Sequence, residues 1–263
     1  RTIVACIGGL GQGRPMMELD TPLYHWGPTA QLLLLGALVA ALPLAWVFWR
    51  LRGQGTSARA VKLTWVTLFL TFDLVLFGAF TRLSDSGLGC PDWPGCYGQA
   101  TPMGAQSQIQ AAQDLMPHGP VTHGKAWVEM VHRYLATGVG GLILVLCVLA
   151  WRRRWRGETT AGAWWATLTL VWVCLQGAFG ALTVTMKLFP AIVTLHLMGG
   201  MVLLALLTYQ VARQQAWLKP PVPVIHSAYL RLGLILGLIL LALQITLGGW
   251  VSTNYAVLVC DTF

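Results

Sequence analysis

The chain is poor in charge: only 10% of its 263 residues are charged, whereas 56% are hydrophobic. Soluble domains carry about a quarter charged residues, so this shortage excludes an ordinary soluble protein. The apolar runs also lack the alternation of a membrane β-barrel. Each run instead approaches the ~20 residues that a helix needs to cross a bilayer. We therefore predict an all-α polytopic membrane protein, with spans at about 31–49, 63–83, 128–150, 163–186, 190–212 and 229–251.

Acidic residues are the scarcer charge, nine against 17 Lys and Arg, which leaves a net charge of +8. The basic residues concentrate in three connections, after the first, third and fifth spans. These connections share one side of the membrane, which the positive-inside rule assigns to the cytoplasm. The excess is thus a topology signal, and we expect membrane lipid and no nucleic acid as partner. The residues concerned are Arg50, Arg52, Arg59 and Lys62, then Arg152, Arg153, Arg154 and Arg156, then Arg213, Lys219 and Arg231.

This orientation predicts a multi-pass protein of the inner membrane with its N-terminus and the long 84–127 connection on the outer side. Residues 1–30 lack the basic start and apolar core of a secretory signal, and we expect 1–15, ahead of Met16 and Met17, to be an artefact of how the sequence is delimited. We divide the chain into an outside segment (1–30), an extra helix with its loop (31–62), a four-helix bundle (63–212) and a linker with one further helix (213–263).

An internal repeat relates "LFGAFTRLSDSGLGC" (76–90) to "TLGGWVSTNYAVLVC" (246–260). Gly78 matches Gly248 and Cys90 matches Cys260, and both copies end a helix at the outer face. Duplication of this kind is common in helical membrane proteins. The bundle at 63–212 is then the first of two units, and we expect roughly 120 residues of the second unit to be absent after Phe263.

Two of the six histidines are matched in depth. His132 and His196 each lie a few residues into a helix that enters from outside, on different helices of the same unit. This arrangement suits two axial ligands of one haem. The glycine pairs Gly140-Gly141 and Gly199-Gly200 follow them and allow a flat macrocycle or a neighbouring helix to come close. The alternative is that each imidazole hydrogen-bonds to a neighbouring helix or lies in the wet interface.

Four charged residues are further candidates. Glu129 precedes His132 by three residues and so shares its helix face, as a proton acceptor, an interfacial acid or a partner of Arg133. Arg82 and Arg133 lie at outer helix ends, where they neutralise haem propionates or anchor the helices. Asp73 lies near mid-depth, where ionisable groups tend to be functional, and we assign it no role.

Two cysteines flank a stiff turn in "GLGCPDWPGCYG" (87–98). Outside the cytoplasm Cys90 and Cys96 are expected to oxidise to a disulfide. This disulfide is either a structural staple, which would stabilise the fold by only about 2 kcal/mol, or a redox pair. A zinc site with His118 and His123 is the weaker alternative. We expect Cys6, Cys147 and Cys174 to be incidental. Cys260 is the repeat's equivalent of Cys90.

The stretches "FGAFTRLSDSGLGCPDWPGCYG", "EMVHRYLATGVG", "LQGAFGALTV" and "TLHLMGG" resemble the haem A synthase family, and "LQITLGGWVSTNYA" resembles the start of that family's second half. The resemblance implies two pseudo-symmetric four-helix bundles and oxidation of haem O to haem A, by two hydroxylations of the C8 methyl group and loss of water. It implies His132 and His196 as axial ligands of the substrate haem, Glu129 as a required acid, and a Cys90–Cys96 disulfide.

The resemblance also implies partners: the farnesyltransferase that makes haem O (haem O synthase), and terminal oxidase assembly. A second histidine pair, for a permanent haem b, is expected beyond residue 263, and the ending "CDTF" departs from the family's Cys-Pro-Asp pattern. We therefore expect this chain to be an incomplete copy, a haem-binding half that forms homo-oligomers or is degraded. The competing hypotheses are a bis-histidine electron-transfer protein and a transporter that uses Asp73.

Overall fold

A computed structural model describes residues 23–158, 161–218 and 228–256. Within those ranges the chain is helical and contains no strand. Six of its helices are long and apolar enough to cross a membrane, which confirms the predicted polytopic all-α class. The helices are α1 (Thr29–Arg50), α2 (Thr56–Leu83), α3 (Gln106–Leu115), α4 (His123–Trp155), α5 (Ala161–Thr185), α6 (Pro190–Leu218) and α7 (Ala228–Thr253).

Four helices close into a ring, in which α2 and α5 each pack against both α4 and α6. Helices α4 and α6 therefore occupy opposite corners, as do α2 and α5. Across the interior, Val139 and Ile143 of α4 meet Leu203 and Leu207 of α6 in one buried cluster. Outside the ring, α1 packs against α4 and α2, and α7 packs against α6. The ring contains the four spans assigned from sequence to the first bundle.

Glycine allows α1 to approach α4 closely. A Cβ added to Gly36 would lie 2.3 Å from Cγ2 of Thr137, and one added to Gly138 would lie 2.7 Å from Cγ1 of Val39. Real Cβ atoms do not come so near, so both positions require glycine. Small residues at such crossings replace the hydrophobic drive that helices lack within lipid.

Buried threonines on α2 satisfy their own hydroxyls. Thr64, Thr67 and Thr71 are buried, and each donates a hydrogen bond of 2.7–2.9 Å to the carbonyl four residues earlier. This local bonding removes the cost of an unpaired polar group inside a bilayer. Helix α2 can therefore line the bundle with hydroxyls and remain a membrane span.

The sequence repeat recurs in the backbone. Helix α2 ends at Leu83 and α7 ends at Thr253, positions that the repeat equates. Two residues later the backbone is left-handed in both copies, with φ of 51° at Asp85 and at Tyr255. Left-handed φ is uncommon outside glycine, so its recurrence at equivalent positions supports an internal duplication.

The two copies of this helix end also touch. The Arg82 guanidinium donates to the carbonyl of Ser252 and lies 4.3 Å from the ring centroid of Tyr255. The Tyr255 hydroxyl donates to Oδ1 of Asp85 at 3.2 Å. In the repeat, Arg82 is equivalent to Ser252 and Asp85 is equivalent to Tyr255. Each residue thus contacts its own equivalent in the other copy, as residues beside a two-fold axis do.

Candidate haem site

His132 and His196 lie at one level on opposite corners of the ring. His132 precedes Val139 by seven residues, His196 precedes Leu203 by seven, and Val139 and Leu203 share one core cluster. Seven residues correspond to about 10 Å along a helix, so each imidazole lies about 10 Å further towards the outer end. The equal depth inferred from sequence is thus found at opposite corners of the ring.

Glycines occupy the other two corners at that level. A Cβ added to Gly78 on α2 would lie 3.0 Å from Cε1 of His132, and one added to Gly180 on α5 would lie 3.6 Å from Cε1 of His196. In the sequence Gly78 marks the repeat, and no pattern singles out Gly180. Helix α2 carries one glycine and α5 carries three, and only the packing of the helices places Gly78 and Gly180 beside the histidines.

At least one glycine of each pair contacts a neighbouring helix. A Cβ added to Gly141 would lie 3.5 Å from the Cβ of Ala40 on α1, and one added to Gly199 would lie only 1.9 Å from Nε2 of Gln176 on α5. A Cβ added to Gly140 would meet nothing within 4 Å. Of the two uses that the sequence left open, the structure shows approach of a neighbouring helix for Gly141 and Gly199.

Neither histidine has the hydrogen bond that a helix-linking role requires. The Nδ1 atoms of His132 and His196 are buried and without a partner among the described residues. Phe77 stacks beside His132, with ring centroids 6.1 Å apart, and supplies no polar group. Buried polar atoms are rarely left unpaired, so neither imidazole is committed to bonding a neighbouring helix, and both are candidate ligands. Two imidazoles on one diagonal and two glycines on the other fit a flat, iron-bearing macrocycle.

Glu129 is buried just outside the histidine level, with 4% of its surface exposed. Its carboxylate accepts a 2.8 Å hydrogen bond from the Cys90 amide and forms an ion pair with Arg133 on the next turn of α4. The structure thus brings together Glu129, Arg133, Cys90 and His132, and of the alternatives for Glu129 it shows the Arg133 partner. The carboxylate joins the outer loop to the bundle.

Arg133 holds the turn of the outer loop. Its Nη1 lies 3.1, 3.0 and 2.5 Å from the carbonyl oxygens of Asp92, Pro94 and Gly95. Arg82 is placed elsewhere, against α7. A role for either arginine with haem propionates remains a prediction, and the loop carbonyls are a function of Arg133 that the sequence did not indicate.

Residues 84–122 form a cap over this end of the bundle. Cys90 and Cys96 form a disulfide there and are fully buried, together with Ile109 of α3 and Ala126 and Met130 of α4. A buried sulfur is inaccessible to an attacking thiolate, so the arrangement favours a staple over exchange with a soluble partner. Helix α3 was not predicted, because ten residues with one buried apolar side chain give little periodicity.

The turn inside the disulfide is built around Asp92, whose carboxylate accepts the amides of Tyr97 at 2.5 Å and Gly98 at 2.7 Å. Burial and the adjacent Asp92 charge raise the pKa of the Tyr97 phenol. The cap is also joined to the segment before α1, since His25 donates to the Trp93 carbonyl and Trp93 donates to that of Leu23. The cap is thus fastened on two sides.

The remaining candidates lie outside this site. Both sulfurs of the proposed zinc set are used by the disulfide, and no group of three or more potential metal ligands occurs in the described part of the chain. His123 bonds Gln110 at 3.1 Å. Asp73 is exposed on the surface of α2. Cys147 and Cys174 are free thiols, whereas Cys6 and Cys260 lie outside the described residues.

The fold defines a multi-pass membrane protein, and two buried histidines lie on opposite helices of its bundle. A family described as cytochrome oxidase assembly protein, COX15-CtaA, matches residues 61–263. The chain therefore belongs to this family, that of the haem A synthases.

Similar proteins carry the same name. Heme A synthase of Shewanella oneidensis is 41% identical over 205 residues, which cover 76% of this chain and 60% of the relative. Heme A synthase of Sinorhizobium medicae is 31% identical over 97 residues (33% and 26%), and that of Lysinibacillus sphaericus is 28% identical over 155 (57% and 44%). The chain thus spans 60% or less of these relatives. No solved structure matches it.

Proposed function

We propose that the chain forms the substrate-haem half of a haem A synthase, which holds haem O between His132 and His196 while its C8 methyl group is oxidised to a formyl group. The observation that carries the proposal is the histidine level of the bundle. Two buried imidazoles whose Nδ1 atoms have no hydrogen-bond partner lie on opposite helices, and the glycines Gly78 and Gly180 let α2 and α5 pack directly against them. Membership of the family supports the same substrate.

Each hydroxylation inserts one atom of O₂ into a C–H bond and reduces the other atom to water, which consumes two electrons and two protons. Two hydroxylations give a geminal diol, which loses water to leave the formyl group. When bound, haem O would supply the methyl group that is oxidised and an iron that can exchange electrons with the porphyrin. The protein's own tasks are to orient the macrocycle, exclude bulk water and position an acid.

Residues of the chain are suited to those tasks. Imidazoles are ordinary axial ligands, and those of His132 and His196 approach from opposite sides. The disulfide-closed cap shields the outer end from water. We propose that Glu129 is the required acid, placed one turn outside His132, and that Arg82 and Arg133 provide positive charge for the propionates. Arg133 already bonds three carbonyls of the cap, so a propionate would share its guanidinium with them.

The wider assignments rest on the resemblance and on charge. We propose an inner-membrane location with the cap outside, because the arginine-rich connections lie at the opposite end of the bundle. We further propose haem O synthase as donor, terminal oxidase assembly as destination, a haem b held by a second unit, and self-association. The repeat-equivalent contacts between α2 and α7 support the two-unit architecture.

The test separates oxidation from binding. The purified chain is loaded with haem O and given O₂ and a chemical reductant, and the extracted haem is separated by chromatography. Because the chemical reductant replaces the electron-delivering second unit, we expect partial oxidation of haem O by the parent, a loss of product of at least about 100-fold in Glu129→Gln, as removal of a general acid–base group typically gives, and an unchanged spectrum of bound haem. Asp114→Asn, an exposed acid on α3, is the matched control.

A bis-histidine electron carrier is the second candidate, favoured by the same pair of imidazoles. It predicts that the parent binds haem O and cycles between oxidation states but forms no oxidised porphyrin product. It also predicts that Glu129→Gln leaves the rate of electron transfer unchanged. That outcome would replace the synthase proposal.

A further inference from the structure

A cavity lies at the end of the four-helix ring that is away from the histidines. It has a volume of about 210 Å³ and is lined by residues of α2, α4, α5 and α6. A single water needs only about 10–15 Å³ of such volume, so the cavity is large enough for a polar group much bigger than water. Within the described residues it is enclosed by the ends of the helices that also carry the arginine-rich connections.

Two arginines face this cavity from different helices, Arg153 of α4 and Arg213 of α6. Arg153 donates to the hydroxyl of Ser57 at 2.9 Å and pairs with Glu158 at 3.1 Å. Arg213 donates to the hydroxyl of Tyr209 at 3.3 Å. One carboxylate therefore offsets part of two cationic charges, and the cavity remains positive.

The other polar groups suit an oxyanion. Ser57 lies in the first turn of α2, where unpaired amides give a helix its positive end. Gln210 and Gln214 line the cavity. One N–H of Gln210 is used by Thr169, and Oε1 of Gln214 lies 3.1 Å from the hydroxyl oxygen of Thr64, which leaves its amide nitrogen as a donor. Guanidinium groups with amide and hydroxyl donors form the set that recognises phosphate.

The rest of the wall is apolar and includes Leu146, Leu149 and Ala166. A free phosphate ion gains nothing from such a surface, whereas the glycerol and first methylenes of a lipid do. Basic pockets between transmembrane helices at the cytoplasmic side bind anionic headgroups. We propose that this cavity binds the phosphate of an anionic phospholipid, and that Arg153 and Arg213 hold it.

Native mass spectrometry of the whole chain in detergent tests the proposal, with phosphatidylglycerol, phosphatidylcholine and inorganic phosphate titrated in turn. Each arginine near a membrane surface contributes about fivefold to anionic lipid binding. We expect preferential retention of phosphatidylglycerol, a loss of about fivefold in Arg213→Gln, and a greater loss in Arg153→Gln/Arg213→Gln. Arg156→Gln, an exposed arginine at the same end, is expected to retain the parent's binding.

Equal retention of the two lipids would overturn the proposal, as would equal binding by the double variant and Arg156→Gln. Displacement of the lipid by inorganic phosphate at the same concentration would overturn the lipid assignment in favour of a free anion. Arg213→Lys keeps the charge and is expected to retain the preference, and helix content by circular dichroism checks that each variant folds. Loss of lipid binding with unchanged haem binding would separate this cavity from the proposed haem site.

Discussion

The two ends of the four-helix bundle are built differently. At the outer end a disulfide, a buried ion pair and three carbonyl contacts from Arg133 fasten a cap to α4. At the opposite end Arg153 and Arg213 border a cavity of about 210 Å³. The disulfide, the ion pair and the hydrogen bonds to the cap thus lie close to the two histidines, whereas the polar groups of the basic end surround a cavity.

This difference indicates where the geometry must be constant. Two imidazoles on separate helices keep their spacing only if the ends of those helices are held, and a cap bonded to α4 holds one of them directly. The cavity at the basic end has no such demand. The comparison predicts that substitutions at the outer end change stability and haem binding, whereas equivalent changes at the basic end leave both nearly unchanged.

Removal of the Arg133 side chain should have the largest effect on stability. Arg133→Met leaves Glu129 buried without its cation and removes the donor to three cap carbonyls; breaking a buried ion pair costs about 3–5 kcal/mol. Denaturant titration monitored by circular dichroism measures the free energy of unfolding. Arg156→Met, at the basic end, is the matched control, and equal losses in the two variants would show that the ends are held alike.

The disulfide should contribute less. Cys90 and Cys96 are six positions apart, and closing so short a loop stabilises the fold by about 2 kcal/mol. We expect Cys90→Ala/Cys96→Ala to lower the free energy of unfolding by about that amount, measured in the same titration. Cys174→Ala, which removes an exposed free thiol, should leave it unchanged. A double variant as stable as this control would contradict a staple.

Bulk beside the histidines should weaken haem binding and leave the cap intact. Gly78→Val places a side chain against His132, and overpacking costs about 1–3 kcal/mol, which corresponds to an affinity loss of about fivefold to 160-fold. Absorption titration with haem measures it. Gly177→Val on α5, where a Cβ has no neighbour within 4 Å, is the control. Equal affinities would remove Gly78 from the site.

The smallest effect is expected at the rim of the cap. The Lys125 ammonium, 2.9 Å from Asp85, keeps the pKa of that carboxyl below its usual value of 3.8. The ion pair therefore stabilises the fold above pH 3.8, and this stabilisation is lost as the pH falls through the lowered pKa. Because Asp85 is exposed, we expect the pair to contribute less than about 0.5 kcal/mol. NMR titration of Asp85 in Lys125→Gln should show a higher pKa, and an unchanged one would contradict the pair.

Apolar run length sufficed to predict the spans, and helix direction sufficed to predict the equal depth of His132 and His196. The observed helices extend beyond the predicted ends, as α2 does by starting at Thr56, because a helix does not stop where the bilayer does. Ring order was not predictable, since it depends on packing between distant segments. Only that order shows that Gly180 lies beside His196 and that Arg153 and Arg213 border one cavity.

The contacts of the cap could not be predicted from sequence patterns either. From the sequence, Arg133 was interpreted as a helix anchor or a propionate partner. Its actual acceptors are carbonyls some forty residues earlier, and no residue near Arg133 in the sequence indicates them. The loop's stiffness was readable from its prolines, and its burial was not. Sequence thus indicated which residues carry chemistry, and the structure showed which of them hold the others in place.

The most direct test of the histidine site is the absorption spectrum of the purified chain supplied with haem, oxidised and dithionite-reduced, beside His132→Ala. His123→Ala, at the start of the same helix, is the matched control. The account predicts a low-spin six-coordinate spectrum for the parent and the control that becomes high-spin or disappears in His132→Ala. A parent that binds no haem, or a His132→Ala spectrum identical to that of the parent, would contradict the account.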